Sequence, residues 1–184
     1  FNREETLERV VELELAIVPV AVAEAHRLPP GVAVHINGTP TAALDDRLPA
    51  LLEPADRRVV LEITENDRFN TADAAVLRSR LPTGCQIAAD DVGAGFSGLS
   101  QLLGVRPEVV KIDRELVKGL QDDPARQVVV AGLVRFAEET GATLIAEGIE
   151  EPDESDALVR LGVRLGQGSL FGRPAPITEL AFSA

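Results

Sequence analysis

The stretch Ala88-Ala-Asp-Asp-Val-Gly-Ala-Gly-Phe-Ser-Gly-Leu99 decides how the rest of the chain is read. It continues a short apolar run, Gln86-Ile-Ala-Ala89, into two adjacent aspartates, with glycines at 93, 95 and 98. Adjacent carboxylates repel each other unless something positive lies between them. Neighbours on a strand point to opposite faces, so Asp90 and Asp91 converge on one site only if the backbone turns there. The glycines supply backbone freedom for such a turn. The stretch therefore reads as the end of a strand, an acidic pair and a loop into a helix.

The same strand-then-helix alternation extends to both sides. Strands are predicted over 32–37, 58–64, 85–90, 109–113, 142–147 and 163–167. Helices are predicted over 5–28, with a kink or a division into two at Pro19, in a short stretch to about 53, and over 71–81, 97–104, 124–140 and 153–161. The helix over 124–140 is expected to be the longest, with Val129, Leu133, Phe136 and Ala137 at helical spacing and Gly141 closing it. Thr39 is a candidate helix cap. Residues 168–184 read as a loop with a short final helix. Short connections between such units mean parallel β/α construction, and strands apolar on both faces mean a sheet covered by helices. Nearly every strand ends in Asn, Glu, Asp, Lys or Gln. An open sheet gathers ligand groups at one switch point, whereas a barrel brings all its strand ends to one mouth. The distribution favours the barrel.

Composition narrows the partners. A chain of 184 residues with no low-complexity segment suggests a single domain over 1–184. The net charge of −12 argues against a nucleic-acid polymer as partner, as does the scarcity of aromatics, six Phe with no Trp or Tyr, for base stacking. No apolar run is long enough for a membrane span, so no membrane contact by this domain is expected. The single cysteine, Cys85, excludes an internal disulfide, fits a reducing compartment and reads as a small buried residue.

The strand-end set is Asn37, Glu62, Asp90, Asp91, Lys111, Asp113, Glu147 and Gln167. Glu62 lies inside Val-Val-Leu-Glu-Ile and Lys111 inside Val-Val-Lys-Ile-Asp; neither charge is expected to be buried without a partner. For Lys111 a salt bridge to Asp113 or another carboxylate and a catalytic role stand level. Oxygen donors without Cys or His suit Mg²⁺ or Mn²⁺, and His26 and His35 read as structural. Several carboxylates with an Asn are enough to hold two ions, the arrangement used for phosphoester hydrolysis.

Asp90-Asp-Val-Gly-Ala-Gly-Phe-Ser-Gly-Leu99 resembles the Asp-Asp-Phe-Gly-Thr-Gly loop of the EAL family, bacterial cyclic di-GMP phosphodiesterase domains. Glu62-Ile-Thr-Glu65, Val110-Lys-Ile-Asp113, Ala146-Glu-Gly-Ile-Glu150 and Gly166-Gln-Gly-Ser-Leu-Phe-Gly-Arg-Pro174 resemble further family motifs in the same order, and Asn37 falls where the family has an Asn-Leu-Ser metal ligand. The resemblance implies a TIM-like (β/α)8 barrel and hydrolysis of cyclic di-GMP to linear 5′-pGpG with Mg²⁺ or Mn²⁺, two ions in all. It implies Asn37, Glu62 and Asp90 as ligands of one ion, with Asp90 bridging, and Asp91 and Glu147 at the second. Lys111 and Gln167 would hold the attacking water, Glu147 would act beside them, and Glu65 would brace the glycine loop. Asp113, Gly148, Glu150, Phe171 and Pro174, in the same motifs, would contact substrate. The family also implies a homodimer, a sensory or GGDEF-type domain in the parent protein and a cytoplasmic location, in a larger and even membrane-anchored protein.

Two departures bear on these expectations. The Glu-Ala-Leu strand that names the family, whose Glu is a metal ligand, does not occur; Glu5-Thr-Leu7 and Glu14-Leu-Ala16 imitate it poorly, on a predicted helix. The first two strands of the barrel are likewise absent from the chain. The expectation is an N-terminally incomplete domain, with open edges beside 32–37 and 163–167, that neither folds stably nor turns over substrate alone. The alternatives are a catalytically inactive EAL-like receptor for cyclic di-GMP, discriminated by metal-independent binding without product, and an unrelated metal-dependent barrel lyase.

Overall fold

A computed structural model of the chain describes residues 3–63, 69–93 and 98–179. It divides into two compact units, residues 1–87 with 175–184, and residues 88–174.

The first unit starts with α1 (Arg3–Ala25), followed by β1 (Val34–Gly38), α2 (Pro40–Ala43), α3 (Leu48–Leu52), β2 (Val59–Ile63) and α4 (Thr71–Arg80). α1 is longer than the helix over 124–140, against expectation, and runs through Pro19 as one element. Pro19 lies on its exposed side, where water can serve the carbonyl group that proline leaves without an N–H partner. Val11, Leu15, Val18, Val22 and Ala25 form the buried stripe of α1, which packs on β1, α2 and α3. β1 and β2 pair in parallel, placing Asn37 opposite Glu62 and His35 opposite Val60. Every residue of β2 is buried, as a strand covered on both faces requires. Thr39 caps α2, its side chain accepting from the Ala42 N–H, and Glu14 on α1 accepts from both the N–H and the hydroxyl of Thr39. Cys85 is half-buried, and burial pushes its thiol up, as for an unreactive cysteine.

β3 (Gln86–Val92) leads into the second unit. There it is followed by α5 (Gly98–Val105), β4 (Val109–Ile112), α6 (Arg114–Val117), a 3₁₀ turn at Leu120–Asp122, α7 (Pro124–Thr140), β5 (Thr143–Ala146), α8 (Pro152–Leu161) and β6 (Leu165–Gly166). β3 pairs with β4, β4 with β5 and β5 with β6, all in parallel. The core runs from Ala89 and Val92 through Val110, Ile112 and Ala146 to Val130, Leu133 and Leu158. On α7 the buried positions are Val130, Leu133 and Ala137, while Val129 is half exposed. Leu133 and Ala137 are buried as expected and Phe136 packs partly buried against the core; Val130 takes the place expected for Val129. α6 has no periodic signature in the sequence; it forms because Asp113 caps it, accepting from the Glu115 N–H at 2.7 Å. β6 is reduced to two residues.

Glu154 on α8 is 4% exposed and gathers three backbone N–H groups: Gly119 at 3.2 Å, Glu150 at 3.0 Å and Glu151 at 3.1 Å. Burial alone would raise its carboxyl, but these N–H groups and the Lys118 charge outweigh it and hold the carboxyl below its ordinary value of 4.5. A depressed acid adds stability above its unfolded value and loses it as pH falls through the folded one. Glu154→Ala is expected to cost about 2–3 kcal/mol at neutral pH, where hydrogen bonds to a charged group are lost. The deficit should shrink below the ordinary carboxyl value. Urea melts across that range check it; a deficit that does not change with pH contradicts the assignment.

Candidate functional site

The acidic pair sits at the end of β3, where the register against β4 shifts between Ala89 and Val92. Asp91 occupies the left-handed region at φ 55°, so the first turn is made by the aspartate itself, with Gly93 (φ 114°) next. Asp is one of the few side chains that tolerates this conformation, and such strain is typical of functional sites. The bulge turns both carboxylates to one side. Asp90, Asp91 and Glu147, at the end of β5, each offer an oxygen, and these oxygens lie within 4.8 Å of one another.

Lys111 on β4 passes between them, 5% exposed. Its Nζ lies 2.9 Å from Asp90 Oδ1 and 2.6 Å from Glu147 Oε1. The sequence leaves its partner open between Asp113 and another carboxylate; the ammonium pairs with Asp90 and Glu147, while Asp113 caps α6. Gln167, just past β6, donates through Nε2 to Glu147 Oε1 at 2.6 Å. Asp90, Asp91, Lys111, Glu147 and Gln167 thus form one cluster. Asp91 is pushed above the ordinary carboxyl range by burial, then by the charges of Asp90 and Asp113, against Lys111. Crowded acids are relieved when a dication joins them.

Two features test the fit of a metal. Asp90 Oδ1 is buried and meets the Lys111 ammonium at 2.9 Å. An ionised carboxylate has more lone pairs than one ammonium uses, so a cation can join it. The donors are all carboxylate oxygens, which suit Mg²⁺ or Mn²⁺. The residues fit one such site.

In the first unit Asn37 and Glu62 stand side by side across β1 and β2, Glu62 being 5% exposed. His35, read from sequence as structural, places Nδ1 2.7 Å from Glu62 Oε1. The alternation of β1 could have signalled this, since His35 and Asn37 share a face. Glu65 and residues 94–97 of the glycine loop lie outside the described residues. Gly148 takes φ +64°, and a Cβ there would press on Arg114. Glu150, Phe171 and Pro174 are exposed; the Glu150 N–H is held by Glu154.

Gly168 was not singled out in the sequence, yet a Cβ there would fall on the Ile149 peptide. Ile149 donates to the Gln167 carbonyl, and Leu170 donates to the Ile149 carbonyl, both at 3.1 Å. Gly168→Ala is therefore expected to force these two backbones apart, at about 3 kcal/mol, and to draw Gln167 off Glu147. Thermal melts of the variant check it; an unchanged melting temperature would contradict the close approach.

Among the described residues no helix is long and apolar enough to cross a membrane. Comparison with known proteins gives one consistent answer. The chain is similar to the cyclic di-GMP phosphodiesterase RocR of Pseudomonas aeruginosa, 32% identical over 149 residues, covering 78% of this chain and 38% of RocR. It is also similar to the bifunctional diguanylate cyclase/cyclic di-GMP phosphodiesterase MucR of the same organism, 34% identical over 134 residues, 72% of this chain and 19% of MucR. The chain thus spans well under half the length of these curated relatives. Among solved structures it resembles BlrP1 of Klebsiella pneumoniae in a manganese and cyclic di-GMP complex, with a TM-score of 0.79 and 34% identity over 95% of this chain and 46% of that one. The EAL domain of Mycobacterium smegmatis DcpA gives 0.79 and 28% over 92% and 82%. A profile of the EAL domain matches residues 5–174, and the chain belongs to the EAL domain family.

Proposed function

We propose that this chain is a metal-dependent phosphodiesterase domain that hydrolyses cyclic di-GMP to linear 5′-pGpG. The observation that carries the reading is the cluster of Asp90, Asp91 and Glu147 around the buried Lys111, whose ammonium meets Asp90 and Glu147. A receptor has no need to bury a lysine between acids at the point where a phosphodiester would react. RocR carries this activity in its name, and BlrP1 was solved with manganese and cyclic di-GMP.

Two ions are part of the proposal: Asn37, Glu62 and Asp90 would hold one, Asp91 and Glu147 the other. Mg²⁺ or Mn²⁺, when bound, would lower the pKa of water and stabilise charge on the phosphoryl oxygens. Lys111 and Gln167, which meet at Glu147 Oε1, would orient the attacking water, and Lys111 would offset the charge growing on phosphorus. Water adds to phosphorus, the bond to O3′ breaks, and O3′ takes a proton, which leaves the 5′-phosphate. Asp113, Gly148, Glu150, Phe171 and Pro174 would line the substrate path, and Glu65 would brace the glycine loop. The parallel β/α order fits a (β/α)8 barrel of the EAL type. A homodimer is supported by the exposed apolar residues Leu103, Val128 and Val129, which line a groove with Leu116 and Phe136. A sensory or GGDEF-type partner domain and a cytoplasmic location belong to the same reading.

The test is to incubate the full chain with cyclic di-GMP and Mg²⁺ or Mn²⁺, with a chelator control, and to follow products by chromatography. Metal-dependent pGpG supports the reading and overturns the expectation that residues 1–184 do not turn over substrate alone. Tight metal-independent binding with no product would replace it with a receptor.

A further inference from the structure

We propose that His35 is a positioning residue that sets the Glu62 carboxylate for cation capture. The inference rests on the reading of Asn37 and Glu62 as metal ligands. β1 alternates, so His35 and Asn37 project from the same face, and the register puts Asn37 directly beside Glu62. The His35 ring thus lies one step along the strand from the Asn37–Glu62 pair. Its Nδ1 approaches Glu62 Oε1 to 2.7 Å.

An ionised carboxylate only accepts hydrogen bonds, so the ring must donate from Nδ1. That fixes the tautomer without requiring a charged imidazole. The contact matters because the last torsion of a glutamate is soft, with broad, nearly two-fold preferences. Glu62 is 5% exposed, and its backbone is locked in a fully buried strand. Rotation of the carboxylate plane is a freedom that the backbone does not fix, and the imidazole N–H is one restraint on it. A carboxylate held in this way presents its oxygens in one orientation beside the Asn37 amide. Groups that orient metal ligands in this manner are typically worth ten- to a hundredfold in metal affinity.

The imidazole of His35 also fills space, so the test must separate orientation from packing. Asparagine places its amide N–H close to where Nδ1 stands; glutamine puts its amide one atom farther out, and valine has no donor. Mn²⁺ is titrated calorimetrically into the full chain and into H35N, H35Q and H35V at neutral pH, with thermal melts alongside. H35V and H35Q should bind Mn²⁺ about ten- to a hundredfold more weakly, with H35N within about threefold of the unsubstituted chain. Turnover at saturating Mn²⁺ and the KM for cyclic di-GMP should stay near their original values, since His35 acts through metal occupancy. Should H35V fail to fold, the contrast between H35N and H35Q still decides. Equal affinity in all four proteins, or an H35N as weak as H35Q, overturns the inference and leaves the phosphodiesterase reading standing. Loss of Mn²⁺ binding in H35Q, in a chain that makes no pGpG, supports the inference and removes that reading. A chain that takes up no Mn²⁺ at all overturns both.

Discussion

Lys111→Met is expected to cut turnover of cyclic di-GMP about a thousandfold while leaving Mn²⁺ binding intact or tighter. The side chain lies 2.9 Å from Asp90 and 2.6 Å from Glu147 and is almost fully buried. Methionine keeps the length and removes the charge. Without the ammonium, the buried Asp90 and the partly buried Glu147 lose the positive charge between them. Truncating one member of such a set costs about 3–5 kcal/mol, so the metal-free variant should melt well below the unsubstituted chain. A dication supplies the missing charge, so added Mn²⁺ should restore much of the lost stability. It cannot restore the donor that orients water and offsets charge on phosphorus. Turnover and melting with and without Mn²⁺ therefore separate two roles of one lysine. Undiminished turnover would sink its catalytic assignment, and a melting temperature insensitive to the substitution would sink the ion-pair account.

Lys111 also marks where the sequence stopped being legible. A charge inside Val-Val-Lys-Ile stands out against its neighbours, and so does Glu62 inside Val-Val-Leu-Glu-Ile; that is why both were visible. The partner was not. Asp113, two residues on, is the local choice on an extended strand, but β4 ends at Ile112 and the Asp113 carboxylate is used as the cap of α6. The partner Glu147 comes from β5, because Ile112 pairs with Ala146 in that register. Register between strands is a tertiary fact that no local pattern carries. On α7 the spacing placed Leu133 and Ala137 correctly, but three consecutive valines, 128–130, offer the same residue to several faces, and only packing selects Val130 over Val129. The turn at the acidic pair was read into the glycines because they are the usual left-handed residues, whereas Asp91 takes that conformation first. The strands and most helices were legible because apolar periods of two and of 3.6 differ over even short windows. The cluster of strand-end acids was legible because Asn37, Glu62, Asp90, Asp91, Lys111, Glu147 and Gln167 fall at or just past the C-terminal ends of their strands.

Asp90→Asn should abolish metal-dependent turnover and, without metal, leave the chain as stable as before or more so. Asp90 is proposed as a metal ligand, so its charge is one that a bound cation would meet. Replacing it by an amide keeps the shape and removes a formal charge, and fewer charged ligands bind divalent cations more weakly. The stability arm follows from the crowding. Asp90 is one of the charges that raise the Asp91 carboxyl from its ordinary value. Removing that charge relaxes Asp91, and Lys111 keeps Glu147 as its counterion. Ligand binding stabilises a fold only in proportion to its affinity. The unsubstituted chain should accordingly gain melting temperature as Mn²⁺ is raised, and Asp90→Asn should gain little over the same range. The variant is thus expected to start level or higher and to finish lower, a crossing that simple loss of packing does not produce. An Asp90→Asn protein that is stabilised by Mn²⁺ as strongly as the original, and that still forms pGpG, would show that the acidic pair at the end of β3 is not where the metal is held.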